Sequence, residues 1–472
     1  MPLNITQFAF SGRLVIVGFG SIGQGVLPLL LRHFAITPQQ ITVVTAEERG
    51  HVEADHYGVA FIREPLTREN YVSVLEPLLG RGDFLLNVSV DVSSVALIAF
   101  CHRVGALYLD TCIEPWAGGY TDATLSPAAR TNYALRESAL AVRRSLGAGP
   151  TAVITHGANP GLVSHFVKRA LLQLARDTGV DAAAPATRAQ WAALSYRLGV
   201  KVIHIAERDT QVATTPKQVG QFVNTWSIDG FVGEGCQPAE LGWGSHEKEW
   251  PADGHPYLTG DKVGLWLSRP GAATQVRSWT PLEGPYRGFL ITHGEAISIA
   301  DYYSITEGDR LIYRPTCHYA YHPCDDAVLS LHEFAGKNWR LQPEKRLLVD
   351  EVAAGTDELG VLLMGHSRNI YWYGSRLSIG QARALAPYNN ATSLQVTASI
   401  LAAMVWATEN PERGVIEPEE MDFERILEIC APYLGEVVGI YGDWTPLQDR
   451  GRLFPEDIDS EDPWQFKNFR VV

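Results

Sequence analysis

Gly18, Gly20 and Gly23 stand in a G-x-G-x-x-G spacing between an apolar run at 13–17 and a helical pattern at 22–34. That pattern suits a phosphate-bearing dinucleotide. The first glycine permits a tight turn, the second lets backbone approach a pyrophosphate, and the third lets the helix pack close to the sheet. Ser21 and Ile22 lie between them, where the first N–H groups of the helix point at the phosphates. The next strand, 41–45, ends at Thr45, where an acid usually meets the ribose hydroxyls, and Glu47 follows two residues later. No arginine sits at that strand end, and Arg49 is further along, so NAD is favoured over NADP. Two more strand ends, Asn87-Val88-Ser89-Val90-Asp91 and Asp110-Thr111-Cys112-Ile113-Glu114, offer polar groups where the nicotinamide half should run.

A second constellation suits a cation. Between Trp226 and Trp250 lie Asp229, Glu234, Glu240, Glu247 and Glu249, with Lys248 the only Lys or Arg and Trp243 among them. A carboxylate gives an alkylammonium a charge-assisted hydrogen bond, and a ring face adds attraction that needs no donor angle. The competing reading is a solvated acidic loop anchored by tryptophan. His293-Gly294-Glu295 reads as another strand end facing a cleft, with His293 either an acid/base group or a hydrogen-bonded structural histidine. The spacing Cys317-His318-x-x-x-His322-x-Cys324 matches no common zinc pattern, and no metal is expected.

The elements that must position these groups follow a βαβ rhythm. Strands are expected at 13–17, 41–45, 84–88, 106–110 and 151–155, with helices at 22–34, 93–104 and 130–146. Such alternation implies a Rossmann-type, doubly wound parallel sheet. The segment His156-Gly157-Ala158-Asn159-Pro160-Gly161 opens a helix to about Leu174, with Asn159 as N-cap and Pro160 as first helical residue. After about residue 190, Trp, Gly, Thr and Tyr in period-two alternation suggest a mixed, mainly antiparallel sheet in a second α+β domain. The boundary is expected near 155, giving an NAD-binding domain 1–155 and a substrate and dimerisation domain 156–472. Helices at 390–407 and 418–434 are candidates to pack back on the first domain.

Composition narrows the class. At 472 residues two large domains are the natural expectation. No apolar run is read as long enough to span a bilayer, and residues 1–12 lack the basic and apolar regions of a leader, so the cytoplasm is expected, with no membrane partner. A net charge of −14 argues against nucleic acid and leans slightly towards a cationic ligand. Six cysteines in so long a chain are expected as free thiols.

In combination these segments resemble the bacterial homospermidine synthases. The likeness is carried by Val15-Ile16-Val17-Gly18-Phe19-Gly20-Ser21-Ile22-Gly23-Gln24-Gly25 and Asp110-Thr111-Cys112-Ile113-Glu114-Pro115-Trp116. Thr155-His156-Gly157-Ala158-Asn159-Pro160-Gly161 and Asn224-Thr225-Trp226-Ser227 extend it. The Asn-Pro-Gly turn is shared more broadly with saccharopine dehydrogenase-like proteins. The resemblance implies a homodimer, a tightly held NAD, and synthesis of sym-homospermidine from two putrescines with release of ammonia. It implies Trp226 as a cation–π platform and Glu207 and Glu234 as carboxylates near the amines of putrescine or related polyamines. Asp91, Glu114 and Asn159 would line the region between substrate and nicotinamide, with His293 and Glu295 as further proton-handling groups. The cofactor set is then Gly18, Gly20, Ser21, Ile22, Gly23, Thr45, Asp91, Val92, Thr111, Cys112, Asn159 and Pro160.

A redox cofactor serves such a transferase because a primary amine is a poor leaving group. Oxidation to an imine makes the carbon electrophilic, a second amine adds and expels ammonia, and returning the hydride gives the secondary amine. Two other readings stay open. A saccharopine-type amino-acid oxidoreductase would need an arginine fork for an α-carboxylate, for which Arg208 and Arg277 are candidates. A non-catalytic NAD-binding scaffold dimer would bind the cofactor without amine turnover.

Overall fold

Leu14-Val15-Ile16-Val17 is buried at all four positions, as a strand covered on both faces of a parallel sheet must be. This β1 (Leu14–Val17) is an interior strand of a seven-stranded sheet in a computed structural model that describes residues 7–180 and 183–472. Residues 1–6 of the segment scanned for a leader lie outside the described residues. The other strands are β2 (Ile41–Thr45), β3 (Ala60–Arg63), β4 (Phe84–Asn87), β5 (Leu107–Asp110), β6 (Ala152–Val153) and, from far along the chain, Val415–Ile416. Their order is Val415–Ile416, β6, β5, β4, β1, β2, β3, and every pair is parallel. Register brings Val17 beside Val44 and Asn87, and Asn87 beside Asp110, so the polar strand ends meet along one edge. Helix α1 (Ser21–His33) follows the glycine turn directly.

Several boundaries differ from the expectation. β3 and the short helices His51–Tyr57 and Tyr71–Leu75 were not foreseen. The strand expected at 151–155 shortens to β6, because Thr155 turns into the left-handed region at φ 57°. Asn159 is not an N-cap. The Asn159–Pro160 peptide is cis, the Gly157 N–H donates to the Pro160 carbonyl at 2.7 Å, and the helix Leu162–Thr178 begins after Gly161. The Asn159 side chain is thereby released for another partner.

The second half carries an eleven-stranded sheet. β7 (Val202–Asp209) sits between the strand Thr316–His322, which is parallel to it, and the strand Thr356–His366, which is antiparallel. The other pairs in that sheet are antiparallel. β7 is buried at all positions, including Glu207, Arg208 and Asp209, although burial of charge is costly without partners.

The helix Ala391–Glu409, capped by Asn390, whose side-chain Oδ1 accepts from the Ser393 N–H at 2.8 Å, packs on α1. By length and composition it could cross a membrane, contrary to the reading that no run is long enough. In the fold 89% of its apolar window is buried, so it is an interior helix rich in Ala, Ser and Thr. The helix expected at 418–434 is confined to Phe423–Cys430, flanked by the 3₁₀ turns Pro418–Glu420 and Ala431–Tyr433.

Candidate active site

Gly18 holds φ 85°, and a Cβ there would stand 2.6 Å from the Cα of Ser89. Gly20 is the opposite case: a Cβ would meet nothing within 4 Å, because its face opens on a cleft of about 640 Å³. Gly23 does not line that cleft; a Cβ would press 2.7 Å from the Gly18 carbonyl oxygen, so it serves helix packing. Gly18, Gly20, Ser21 and Ile22 form one wall, Thr45 and Glu47 close one end, and Asp91 and Val92 line the other strand tips. Arg49, which the sequence puts beyond the strand end, also lines the cleft. The far wall comes from the second half, with Ser227, Ile228 and an ion pair between Asp229 and Lys345. Bare backbone beside the N-terminus of a 13-residue helix fits a pyrophosphate, so these residues fit a dinucleotide.

From the cleft a chain of contacts leads inward. The Asp91 N–H, on a residue with left-handed φ 66°, donates to Glu114 Oε2 at 3.1 Å, and Cys112 Sγ donates to Glu114 Oε1 at 2.9 Å. Burial pushes the Glu114 carboxyl up to about 7, against the hydrogen bonds it accepts. Asp91 is raised too, by desolvation and by nearby Asp229. Cys112 and Pro160 line a small inner pocket with Thr155, Glu234 and His293. His293 contacts Glu234 Oε2 through Nε2 at 2.9 Å and Glu295 Oε1 through Nδ1 at 3.3 Å. Burial disfavours the imidazolium, but the two carboxylates outweigh it and hold the histidine well above its ordinary value.

The His293 ring lies 4.6 Å from that of Tyr319, whose hydroxyl donates to Glu207. Asn159 Nδ2 donates to the same oxygen, Oε2, at 2.8 Å. Both bonds favour ionisation, yet burial dominates and lifts Glu207 to about 7. Tyr319 stacks on Tyr321 at 5.1 Å, and the Tyr321 oxygen accepts from Trp226 Nε1 at 3.0 Å. Trp226 is half-buried, on the loop before the helix Ile228–Cys236 that also carries Asp229 and Glu234. Carboxyls near neutral pH, a cationic histidine and an indole thus share one connected assembly, able to hold an amine and exchange its proton.

Two homospermidine synthases match almost end to end. That of Blastochloris viridis is 53% identical over 464 residues, covering 98% of this chain and 97% of its own. That of Mesorhizobium japonicum is 51% identical over 468 residues, covering 98% and 96%. The chain belongs to the homospermidine synthase family. Within the wider saccharopine dehydrogenase group, the model for the saccharopine dehydrogenase NADP binding domain matches residues 14–153, and that for the C-terminal domain matches 157–443. A crystal structure of the Legionella pneumophila homospermidine synthase in complex with NAD superposes with a TM-score of 0.93 at 50% identity, covering 99% of each chain.

Relative to the sequence reading, this homospermidine synthase family member divides the acidic, tryptophan-rich segment. Asp229 lines the cleft and Glu234 the inner pocket, whereas Trp226 lines neither and bonds to Tyr321. Trp243 and Trp250 stack on each other at 5.1 Å, and Glu240 is buried on Tyr133, Tyr257 and Thr292. Glu247 is buried on Thr316 and Phe466. Thr111 lines neither cavity; it packs against Gly157. Arg208 alternates to the opposite side of β7 from Glu207 and pairs with Glu283 and Asp325, while Arg277 pairs with Glu456. Neither arginine lines the pocket. Arg136 does, but Glu417, Asp301 and Asp261 already occupy it. The His318 ring lies 4.0 Å from that of His204, tilted by 39°, and the described residues contain no cluster of metal-ligand type. Tyr319 and Tyr321 escaped the sequence reading, since alternating tyrosines in a strand read simply as core.

Proposed function

We propose that the chain condenses two putrescine molecules into sym-homospermidine and ammonia, with NAD held in the glycine-turn cleft. The observation that carries this reading is Glu207. It is a buried carboxyl near neutral pKa, oriented through Oε2 by Asn159 and Tyr319, in one assembly with Trp226. Because both donors use Oε2, Oε1 is left for a substrate ammonium. Bound NAD supplies a hydride acceptor that returns the same hydride, so the reaction involves no net oxidation. Glu207 accepts a proton from the reacting ammonium, which must be neutral before its carbon can be oxidised. Glu234 and the indole of Trp226 hold the charged nitrogens, fixing which carbon faces the cofactor cleft. His293, kept cationic by Glu234 and Glu295, supplies a proton to the departing nitrogen during exchange. The buried wall of the inner pocket keeps water from the electrophilic intermediate. We further propose that the enzyme works as a homodimer in the cytoplasm, with light scattering as the check on its assembly.

The test is incubation of the purified chain with NAD and putrescine alone. Mass spectrometry should detect homospermidine with one ammonia per product. Failure of both to form, while an α-amino acid drives NADH accumulation, would favour the amino-acid oxidoreductase. NAD binding without turnover on any amine would favour the scaffold.

A further inference from the structure

We infer that Tyr321 is a positioning residue for the amine site, holding the indole of Trp226 in register with Glu207 through its stack on Tyr319. The inference rests on the proposed role of Trp226 as a cation platform. Tyr319 and Tyr321 are two apart on the strand Thr316–His322, so their rings project from one face. The rings stack at 5.1 Å and 12°, and both are buried. Parallel pairing sets Tyr321 opposite Glu207 and Tyr319 opposite Ile205. The Tyr319 hydroxyl donates to Glu207, and the Tyr321 hydroxyl accepts from Trp226 Nε1 at 3.0 Å.

Trp226 needs such a hold. It sits on the loop between the strand Gln221–Asn224 and the helix Ile228–Cys236, and its nearest ring neighbour is Phe231 at 5.2 Å, tilted by 47°. A tilted contact leaves the ring plane free to pivot about two side-chain torsions, whereas a hydrogen bond at Nε1 fixes it. Donation from the indole N–H also polarises the ring, moving electron density towards the face that meets a cation. Burial, with nearby carboxyls, pushes both phenols well above their ordinary range, so each hydroxyl keeps its proton across the working pH range. A merely space-filling Tyr321 would need its ring but not its oxygen.

The experiment separates ring from oxygen in the full-length, NAD-loaded enzyme. Tyr321→Phe should raise the KM for putrescine about fivefold or more, with NAD affinity and Tm little changed. In a Trp226→Phe background, which lacks the N–H, the same substitution should add nothing further. Tyr319→Phe should instead move the acidic limb of the pH profile, because it removes a donor to Glu207. An unchanged KM in Tyr321→Phe, or an equal effect in both backgrounds, would overturn the positioning role. If Trp226→Phe and Trp226→Ala both leave amine use intact, the cation reading falls first, and the inference with it.

Discussion

The role proposed for Glu207, acceptor of the amine proton, is testable through pH. Burial lifts its carboxyl to about 7, and it must be ionised to accept a proton. The kcat/KM for putrescine should therefore rise through an acidic limb near that value, and Glu207→Gln should lose at least about a hundredfold in rate together with the limb. A Gln variant that keeps the limb would move the base elsewhere. Trp226→Ala should weaken amine use by about 1 to 2 kcal/mol while NAD affinity stays intact, and Trp226→Phe should be milder. At this scale the sequence speaks unevenly. The indole and carboxylates of 226–250 suit a cation, but spacing alone does not separate Glu234, which meets His293 at the inner pocket, from Glu240, buried under Tyr257. Glu207 became visible only through resemblance, because a carboxylate within an apolar strand carries no local motif. By local pattern Asn159 reads as a helix cap, since nothing local reveals that the turn frees its side chain, and only the resemblance sets it near substrate and nicotinamide.

The glycine turn is the element on which sequence and structure speak most alike, because its demands are steric and local. Its glycines are not equivalent, and substitution should separate them. Gly20→Ala meets open space, so the fold and Tm should survive, while NAD affinity drops about tenfold or more as the methyl intrudes on the pyrophosphate path. Gly18→Ala combines a positive φ with a collision against Ser89 backbone, and should cost both stability and binding. Calorimetry and NAD titration read the two effects apart; equal loss of Tm in both would erase the distinction. Strands 13–17, 41–45, 84–88 and 106–110 were readable because parallel strands are continuous apolar runs. β3 was not, since Ala60-Phe61-Ile62-Arg63 is only partly covered and has polar neighbours. Nor was the end of β6, where a β-branched Thr155 takes a left-handed backbone that its type disfavours. Such a residue lines the inner pocket, where strained backbone commonly serves a site.

Across the whole molecule, several buried carboxyls share the pattern of Glu207, and they tie stability to pH. Burial raises Glu240 from 4.5 to about 7 despite bonds from Tyr257, Tyr133 and Thr292. Between those values the folded chain keeps a proton that the unfolded chain has released, so this group's contribution to stability is full below about 4.5 and lost as pH rises through about 7. Glu240→Gln lacks that slope. Its Tm deficit relative to the parent should shrink between about pH 5 and about pH 7.5, corresponding to at most about 3 kcal/mol. A constant deficit would mean that the carboxyl does not titrate there. The large-scale plan, a parallel sheet followed by a mixed one, was legible from rhythm and texture. The return of the chain as a strand at Val415–Ile416 was not, because two residues carry no periodicity. That return has a consequence for how the protein is made. A ribosome that has passed β6 has supplied six strands, but the outer strand and the interior helix Ala391–Glu409 over α1 are still to come. The nascent chain must therefore keep an apolar face shielded by chaperones through most of translation, and cofactor capture becomes a late event. Chains arrested at residue 390 should retain no NAD on ribosome pelleting, whereas released full-length chains should.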